Sequence, residues 1–258
     1  MNAFKSIKTC YKGLLSLSVT LLFINILPNH SLAQSKTVND VSQSWTSLNS
    51  IIRFNKHWGI IADAHIRRTN FLADPNFYFL RTGVQYWVNE HLMLTAGIGK
   101  MWVAPTTPNW EHFAEENRIY QQVLLTNKMG KIGMVQRIRN EQRWIEKITN
   151  DQFTGDYKFS NRIRYLLAFN IPIFKNPLYP SLSLSDELMV QFGKEIIYNT
   201  FDQNRLFLGI RQPISKTLNF DFGYMLGYQQ KATGYQYDRI HTLRCFFYYT
   251  PDLRKKKI

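Results

Sequence analysis

Thr217-Leu-Asn-Phe-Asp-Phe-Gly-Tyr-Met-Leu-Gly-Tyr228 is the stretch that decides the fold. Leu218, Phe220, Phe222, Tyr224, Leu226 and Tyr228 fall on one face. Thr217, Asn219, Asp221, Gly223 and Gly227 fall on the other, with Met225 the exception. A period of two places successive side chains on opposite sides of an extended chain, so this segment is a strand with unlike neighbours on its two faces. Tyr157 to Ile171 repeats the pattern: Tyr157, Phe159, Ile163, Tyr165, Leu167, Phe169 and Ile171 lie against Lys158, Ser160, Arg162, Arg164 and Asn170. Ser181 to Phe192 does so again, with Leu182, Leu184, Leu188, Val190 and Phe192 on one side.

Weaker runs of the same period are Ser44–Phe54, Trp58–Arg68, Phe77–Val88, Leu92–Val103, Arg118–Thr126, Ile132–Glu146, Arg205–Arg211 and Arg239–Tyr249. Helical periodicity is absent after residue 33. The runs are mostly about ten to fifteen residues long, whereas strands of soluble domains average about 5–6 and a tilted membrane strand needs about 9–11. Short polar turns at Asn55–His57, Asn89–His91, Asn127–Gly130 and Pro213–Lys216 alternate with longer connections at Thr69–Asn76, Ala104–Asn117, Lys147–Asp156, Gly193–Gln203 and Gln229–Asp238. Pro172 to Pro180 breaks the rule, being long and proline-rich on the short rim. Short turns on one rim and long loops on the other are the pattern of an outer-membrane β-barrel. The sequence therefore predicts an all-β, antiparallel transmembrane β-barrel. The runs number eleven, and bacterial barrels are even-stranded. Twelve strands are expected, with ten as the alternative. Trp58, Tyr86, Trp87, Trp102, Trp144, Tyr179, Tyr228, Tyr248 and Tyr249 gather near strand ends, where interfacial girdles would lie.

The first 33 residues read as a signal peptide. Lys5, Lys8 and Lys12 precede an apolar stretch from Leu14 to Leu27, and Ser31-Leu-Ala33 supplies small residues for cleavage after Ala33. Pro28, Asn29 and His30 cut the apolar run short of the roughly 20 residues that an anchor helix needs. The expected organisation is a signal peptide at 1–33, a barrel at 34–250 and a basic tail at 251–258. Of the two cysteines, Cys10 lies in the signal peptide and Cys245 alone remains, which excludes an intramolecular disulfide and a cysteine-rich metal site.

Of the net charge of +14, three lysines belong to the signal peptide and four basic residues to the tail Arg254-Lys-Lys-Lys257; the remainder is arginine-rich on the polar faces of the runs: Arg53, Arg67, Arg81, Arg137, Arg139, Arg143, Arg162, Arg164, Arg205 and Arg211. Acids on those faces are fewer: Asp63, Glu141, Glu187 and Asp221. A charge facing lipid at the midplane costs about 2–4 kcal/mol, so these faces should line the lumen. The arginines are either an interior ion-pair network or an anion-attracting surface, with Arg67, Arg81, Arg137, Arg139, Arg143, Arg162 and Arg164 as candidate anion-binding residues. For an exported basic chain the expected partners are outer-membrane lipid and lipopolysaccharide phosphates, and the barrel-assembly machinery during biogenesis, rather than nucleic acid.

Catalytic signals are thin. No nucleophile elbow or HExxH motif occurs. His57 and His91 belong to short turns, His112 lies among Glu111, Glu115 and Glu116, and His65 and His241 are placed on polar strand faces, without a serine two residues away. No cofactor, metal or catalytic residue is assigned.

Gln43-Ser-Trp-Thr-Ser-Leu-Asn49, Trp58-Gly-Ile-Ile-Ala-Asp-Ala-His-Ile-Arg67, Arg81-Thr-Gly-Val-Gln-Tyr86, Leu94-Thr-Ala-Gly-Ile-Gly99, Glu111-His-Phe113, Arg118-Ile-Tyr-Gln-Gln122 and Arg137-Ile-Arg-Asn-Glu-Gln-Arg143 together resemble the family catalogued as domain of unknown function 2490. The resemblance spans the mature chain and implies a secreted, membrane-associated β protein without an assigned activity. Three readings stand open: an integral outer-membrane barrel with a structural, binding or small-anion transport role; a barrel enzyme acting on lipid or lipopolysaccharide; and a soluble periplasmic β-barrel that binds an apolar ligand.

Overall fold

A chain of alternating strands satisfies its backbone groups only by pairing strand to strand, and a sheet escapes exposed edges only by closing on itself. A computed structural model, which describes residues 35–254, shows that closure. The strands are β1 (Thr37–Arg53), β2 (Trp58–Thr69), β3 (Asp74–Trp87), β4 (Leu92–Val103), β5 (Ala114–Met129), β6 (Ile132–Thr149), β7 (Gln152–Pro172), β8 (Ser181–Phe192), β9 (Phe201–Pro213), β10 (Leu218–Gln230) and β11 (Gln236–Tyr249). Each pairs antiparallel with its sequence neighbours, and β1 closes the barrel against β11. The signal-peptide reading and the end of the basic tail lie outside the described residues.

Each alternating run of the sequence becomes one strand, so the barrel has eleven strands instead of the expected twelve. An odd meander leaves its first and last strands running the same way, and it can close only through a parallel pair. Here β1 and β11 pair in parallel from Thr37–Gln236 to Ser50–Tyr249. The evenness rule assumes antiparallel closure, and this barrel does not use it.

Three of the short turns repeat one pattern, Phe54-Asn-Lys-His-Trp58, Val88-Asn-Glu-His-Leu92 and Ile214-Ser-Lys-Thr-Leu218, and share one mechanism. Asn55 Oδ1 accepts hydrogen bonds from the N–H groups of His57 and Trp58, and Asn89 Oδ1 from those of His91 and Leu92. Ser215 Oγ does the same for Thr217 and Leu218. Asn and Ser are therefore present because a short side-chain oxygen replaces the missing backbone acceptors of the turn. The two histidines reach sideways: His57 Nδ1 lies 2.9 Å from the Trp87 carbonyl oxygen, and His91 Nδ1 3.1 Å from that of Thr126.

The long-loop rim differs from expectation. Residues 147–156 are not a loop: β6 and β7 continue to a tight turn at Asn150 and Asp151, both with positive φ (51° and 59°). The turn between β2 and β3 is likewise only residues 70–73. The Asn and Asp side chains tolerate the left-handed conformation that a two-residue hairpin turn demands.

Side-chain polarity is inverted relative to a soluble domain. Leu48, Ile66, Leu80, Val84, Ile98, Ile119, Ile138, Ile163, Leu208 and Phe222 are exposed on the outside. Asp63, Glu116, Arg118, Arg139, Glu141, Arg162, Arg164, Glu187 and Asp221 are buried inside. Interior space is tuned by glycine. Gly83 and Gly97 are register partners, and a Cβ on Gly97 would stand 2.7 Å from the ring of the fully buried Tyr120.

Candidate functional site

The interior charges form one continuous network on β5 to β9. Glu116 accepts from Arg118 Nε at 2.6 Å and from Arg143 through Nε and Nη2 at 2.6 and 3.1 Å. Arg118 then reaches Glu141 at 3.8 Å. Glu141 takes both Nε and Nη2 of Arg162 and a further bond of 2.9 Å from Arg164. Arg162 continues to Asp202 at 3.1 Å, and Arg164 to Glu187 at 2.7 Å. Glu187 also accepts from Arg137 and lies 3.5 Å from Arg205. Two smaller groups stand apart: Arg81 donates to Asp63, and Asp221 accepts from Arg211 and Arg244. The geometry follows from register. Arg139 faces Arg164 and Glu141 faces Arg162 across β6–β7, so one acid sits among several guanidiniums.

All seven candidate arginines point inward, but they do not share one fate. Arg81, Arg137, Arg143, Arg162 and Arg164 are paired as above. Arg139 donates to the Gln122 side chain at 2.6 and 2.9 Å and stands 3.6 Å from Glu141. Arg67 alone of the seven has no hydrogen bond or ion pair among the described residues; it stacks on Trp45 and Phe77, its guanidinium carbon 3.3 and 4.3 Å from the ring centroids. Two further acids, Glu116 and Asp202, lie in the interior. Glu116 was assigned to the loop 104–117 and Asp202 to the loop 193–203, yet both are buried lumen partners of the network. The alternation carried two residues back from Arg118 along β5 reaches Glu116; Asp202 is out of phase with Arg205 and turns inward only at the register shift between β8 and β9, which alternation does not show. Arg118 and Arg244 also belong to the interior.

At the rims, ion pairs tie loops together. On the short-turn rim Arg53 holds Glu90 through two bonds of 2.6 and 2.8 Å and stacks on Trp87. Those bonds keep the Glu90 carboxyl below its ordinary range. The C-terminal segment extends the seam here: the N–H of Arg53 donates to the Pro251 carbonyl, and the N–H of Leu253 to that of Arg53. Arg254 beside it holds the Asp252 carboxyl down at about 2. On the other rim His112 does not join Glu111, Glu115 and Glu116 in a cluster; it lies 3.2 Å from Glu146. Among the described residues no group of carboxylates, histidines and cysteines is arranged to hold a metal ion.

The outer wall carries its own polar contacts. His241 is not in the lumen. It faces outward, with Tyr224 Oη 2.6 Å from Nδ1 and Asp40 Oδ1 3.1 Å from Nε2, and Arg239 braces Asp40. The chain of three groups crosses β10, β11 and β1, so no same-strand spacing could reveal it. Both ring nitrogens are engaged, and the backbone N–H groups around them belong to strand ladders, which leaves no donor pair of the kind that stabilises an acyl-transfer oxyanion. Gln121, Asn140 and Gln142 satisfy one another on the outside of β5 and β6 at 3.1–3.3 Å.

The sequence model of a family described as protein of unknown function (DUF2490) matches residues 42–238. Comparison with curated proteins and with solved structures finds no match.

Proposed function

Because the chain belongs to the DUF2490 family of unknown function, its role has to be argued from geometry, and we propose that it is an integral outer-membrane β-barrel with an ion-braced, cation-rich interior that binds small anions. The observation that carries this reading is the inverted polarity. In water, an outer wall dominated by apolar side chains would be an association hazard, since monomers rarely expose apolar patches above about 300–600 Å². In hydrocarbon those apolar side chains cost nothing, and the polar groups of the wall satisfy one another. β2 has 12 residues. At about 3.3 Å per residue and a tilt of about 40°, such a strand covers roughly 30 Å along the axis, the thickness of a bilayer core.

Anion binding is supported by the imbalance inside. Arg67, Arg81, Arg118, Arg137, Arg139, Arg143, Arg162, Arg164, Arg205, Arg211 and Arg244 face only Asp63, Glu116, Glu141, Glu187, Asp202 and Asp221. Pairing braces most of these arginines as a plug, which argues against a wide pore. The surplus attracts anions without passing large solutes. Outer-membrane lipid and lipopolysaccharide meet the outside wall, and the barrel-assembly machinery would insert it.

The test is liposome flotation after refolding, with carbonate washing and with gels of unboiled and boiled samples. The expected protein floats, resists washing and migrates differently after boiling. Recovery as a soluble protein without detergent would sink the reading and favour the soluble ligand-binding barrel.

A further inference from the structure

One row of the interior wall near the long-loop rim alternates cations with aromatic rings. Arg244 of β11 is the register partner of Trp45 in β1; Trp45 is the partner of Arg67 in β2, and Arg67 of Phe77 in β3. The guanidinium of Arg67 stacks on both neighbouring rings, and Arg205 approaches the same indole, 4.8 Å from its centroid. Stacking occupies the flat faces of a guanidinium but none of its in-plane N–H donors. The Nε of Arg67 is buried without a hydrogen-bond partner among the described residues. One residue pair deeper, His65 lies between the rings of Phe79 and Phe246, and both of its ring nitrogens are likewise buried and unpartnered.

Among the described residues no carboxylate lies within ion-pair distance of Arg67, and the Nε of Arg205 donates to Gln203 Oε1 at 2.7 Å. The carboxylate nearest Arg205 is Glu187 at 3.5 Å, and Glu187 is already held by Arg137 at 2.5 Å and Arg164 at 2.7 Å. Arg67 and Arg205 both stand against the indole of Trp45, so two cations are gathered there. Gathered cations without a counter-charge are unfavourable in a confined space, and buried donors without acceptors are rare in folded proteins. Both problems have one solution: an oxyanion that takes the donor edges of the two guanidiniums.

We propose that Arg67, Arg205 and His65 form a binding site for a phosphate dianion, either inorganic phosphate or the phosphate group of a monoester, reached from the long-loop mouth of the barrel. One unpaired guanidinium, Arg67, beside a second, Arg205, that only shares the Glu187 carboxylate with two other arginines leaves charge for a tetrahedral oxyanion. The His65 ring, which can donate or accept, adds a third polar contact. Trp45, stacked beneath Arg67, gives the site an optical reporter. The proposal rests on the cation-rich lumen described above and specifies where in it the anion sits.

The experiment titrates the refolded full-length protein with inorganic phosphate, reading calorimetry and tryptophan fluorescence, with acetate as the monoanionic comparator. Phosphate is expected to bind saturably and more tightly than acetate, and to change the fluorescence; in Trp45→Phe the heat should remain and the optical change should shrink. Arg67→Gln should weaken phosphate binding at least tenfold, while Arg239→Gln on the outer wall should leave it unchanged. If Arg67→Gln loses the folded gel band, Arg205→Gln reads the same site. Equal binding by wild type and a folded Arg67→Gln or Arg205→Gln variant overturns the proposal, as does wild type that floats with liposomes yet shows no phosphate heat. Equal weakening by Arg239→Gln also overturns it, placing the phosphate on the outer wall as a headgroup contact. Failure to float is a separate result that counts against the membrane reading instead.

Discussion

At the scale of single residues, Glu141 illustrates how the interior works. It is 2 % exposed and serves Arg162 and Arg164 directly, with Arg139 and Arg118 at 3.6 and 3.8 Å. Removing the acid of a buried pair leaves uncompensated charge and costs about 3–5 kcal/mol. Glu141→Gln should therefore lower the urea midpoint of the detergent-solubilised barrel strongly. Asp40→Asn, at an ion pair half open to its surroundings, should leave that midpoint near wild type. Equal midpoints for the two variants would mean that the network carries no stability. The inward direction of Glu141 and of every candidate arginine was legible in the sequence, because alternation alone fixes the face. Which arginine found an acid was not legible, because pairing depends on partners up to 50 residues away, as for Arg137 and Glu187.

At the scale of elements, the β6–β7 hairpin acts as a post on which the loop 104–113 rests. Asp151, in its turn, accepts hydrogen bonds from the N–H groups of Glu111 and His112 at 2.8–3.0 Å. Those backbone donors hold the Asp151 carboxyl below its ordinary range. A depressed carboxyl contributes its stabilisation above the unfolded pKa of about 3.9 and loses it as pH falls through the folded value. The protection factors of the Glu111 and His112 amides should thus stay high at neutral pH and fall only below about pH 4. In Asp151→Ala they should be low throughout; wild-type protection in that variant would show that Asp151 does not hold the loop. The outer face of β10 offers a second test. Phe220 lies near the start of its strand, at the short-turn rim, whereas Phe222 lies further into the wall and is exposed. A lipid-facing arginine costs about 2–4 kcal/mol at midplane and about 0–1 near the interface. Phe222→Arg should therefore reduce folding yield into liposomes far more than Leu218→Arg at the rim, and a soluble barrel would show no such depth dependence.

At the scale of the molecule, the odd strand count has a directional consequence. β1 begins at the long-loop rim and β11 ends at the short-turn rim, since the two run parallel. In a membrane the two ends of the barrel would lie on opposite sides. Epitopes placed before Thr37 and after Arg254 should then be labelled from opposite faces of proteoliposomes. Labelling from the same face would require an even number of crossings and would refute parallel closure.

The sequence by itself determined the class of fold, the position of each strand, the inward face of the candidate arginines and the place of the three repeated turns; it left the strand count at an expected twelve where the barrel has eleven. What it determined is local: period two, a polar triplet, and an Asn or Ser oxygen within three residues of the N–H groups it serves. The tertiary structure decided what depends on bringing distant strands into register. Closure by a parallel pair, the recruitment of Glu116 and Asp202 into the lumen, and the outward-facing Tyr224–His241–Asp40 chain belong to that second kind. So does the isolation of Arg67 between Trp45 and Phe77, because only the barrel's stagger sets which side chains share a row.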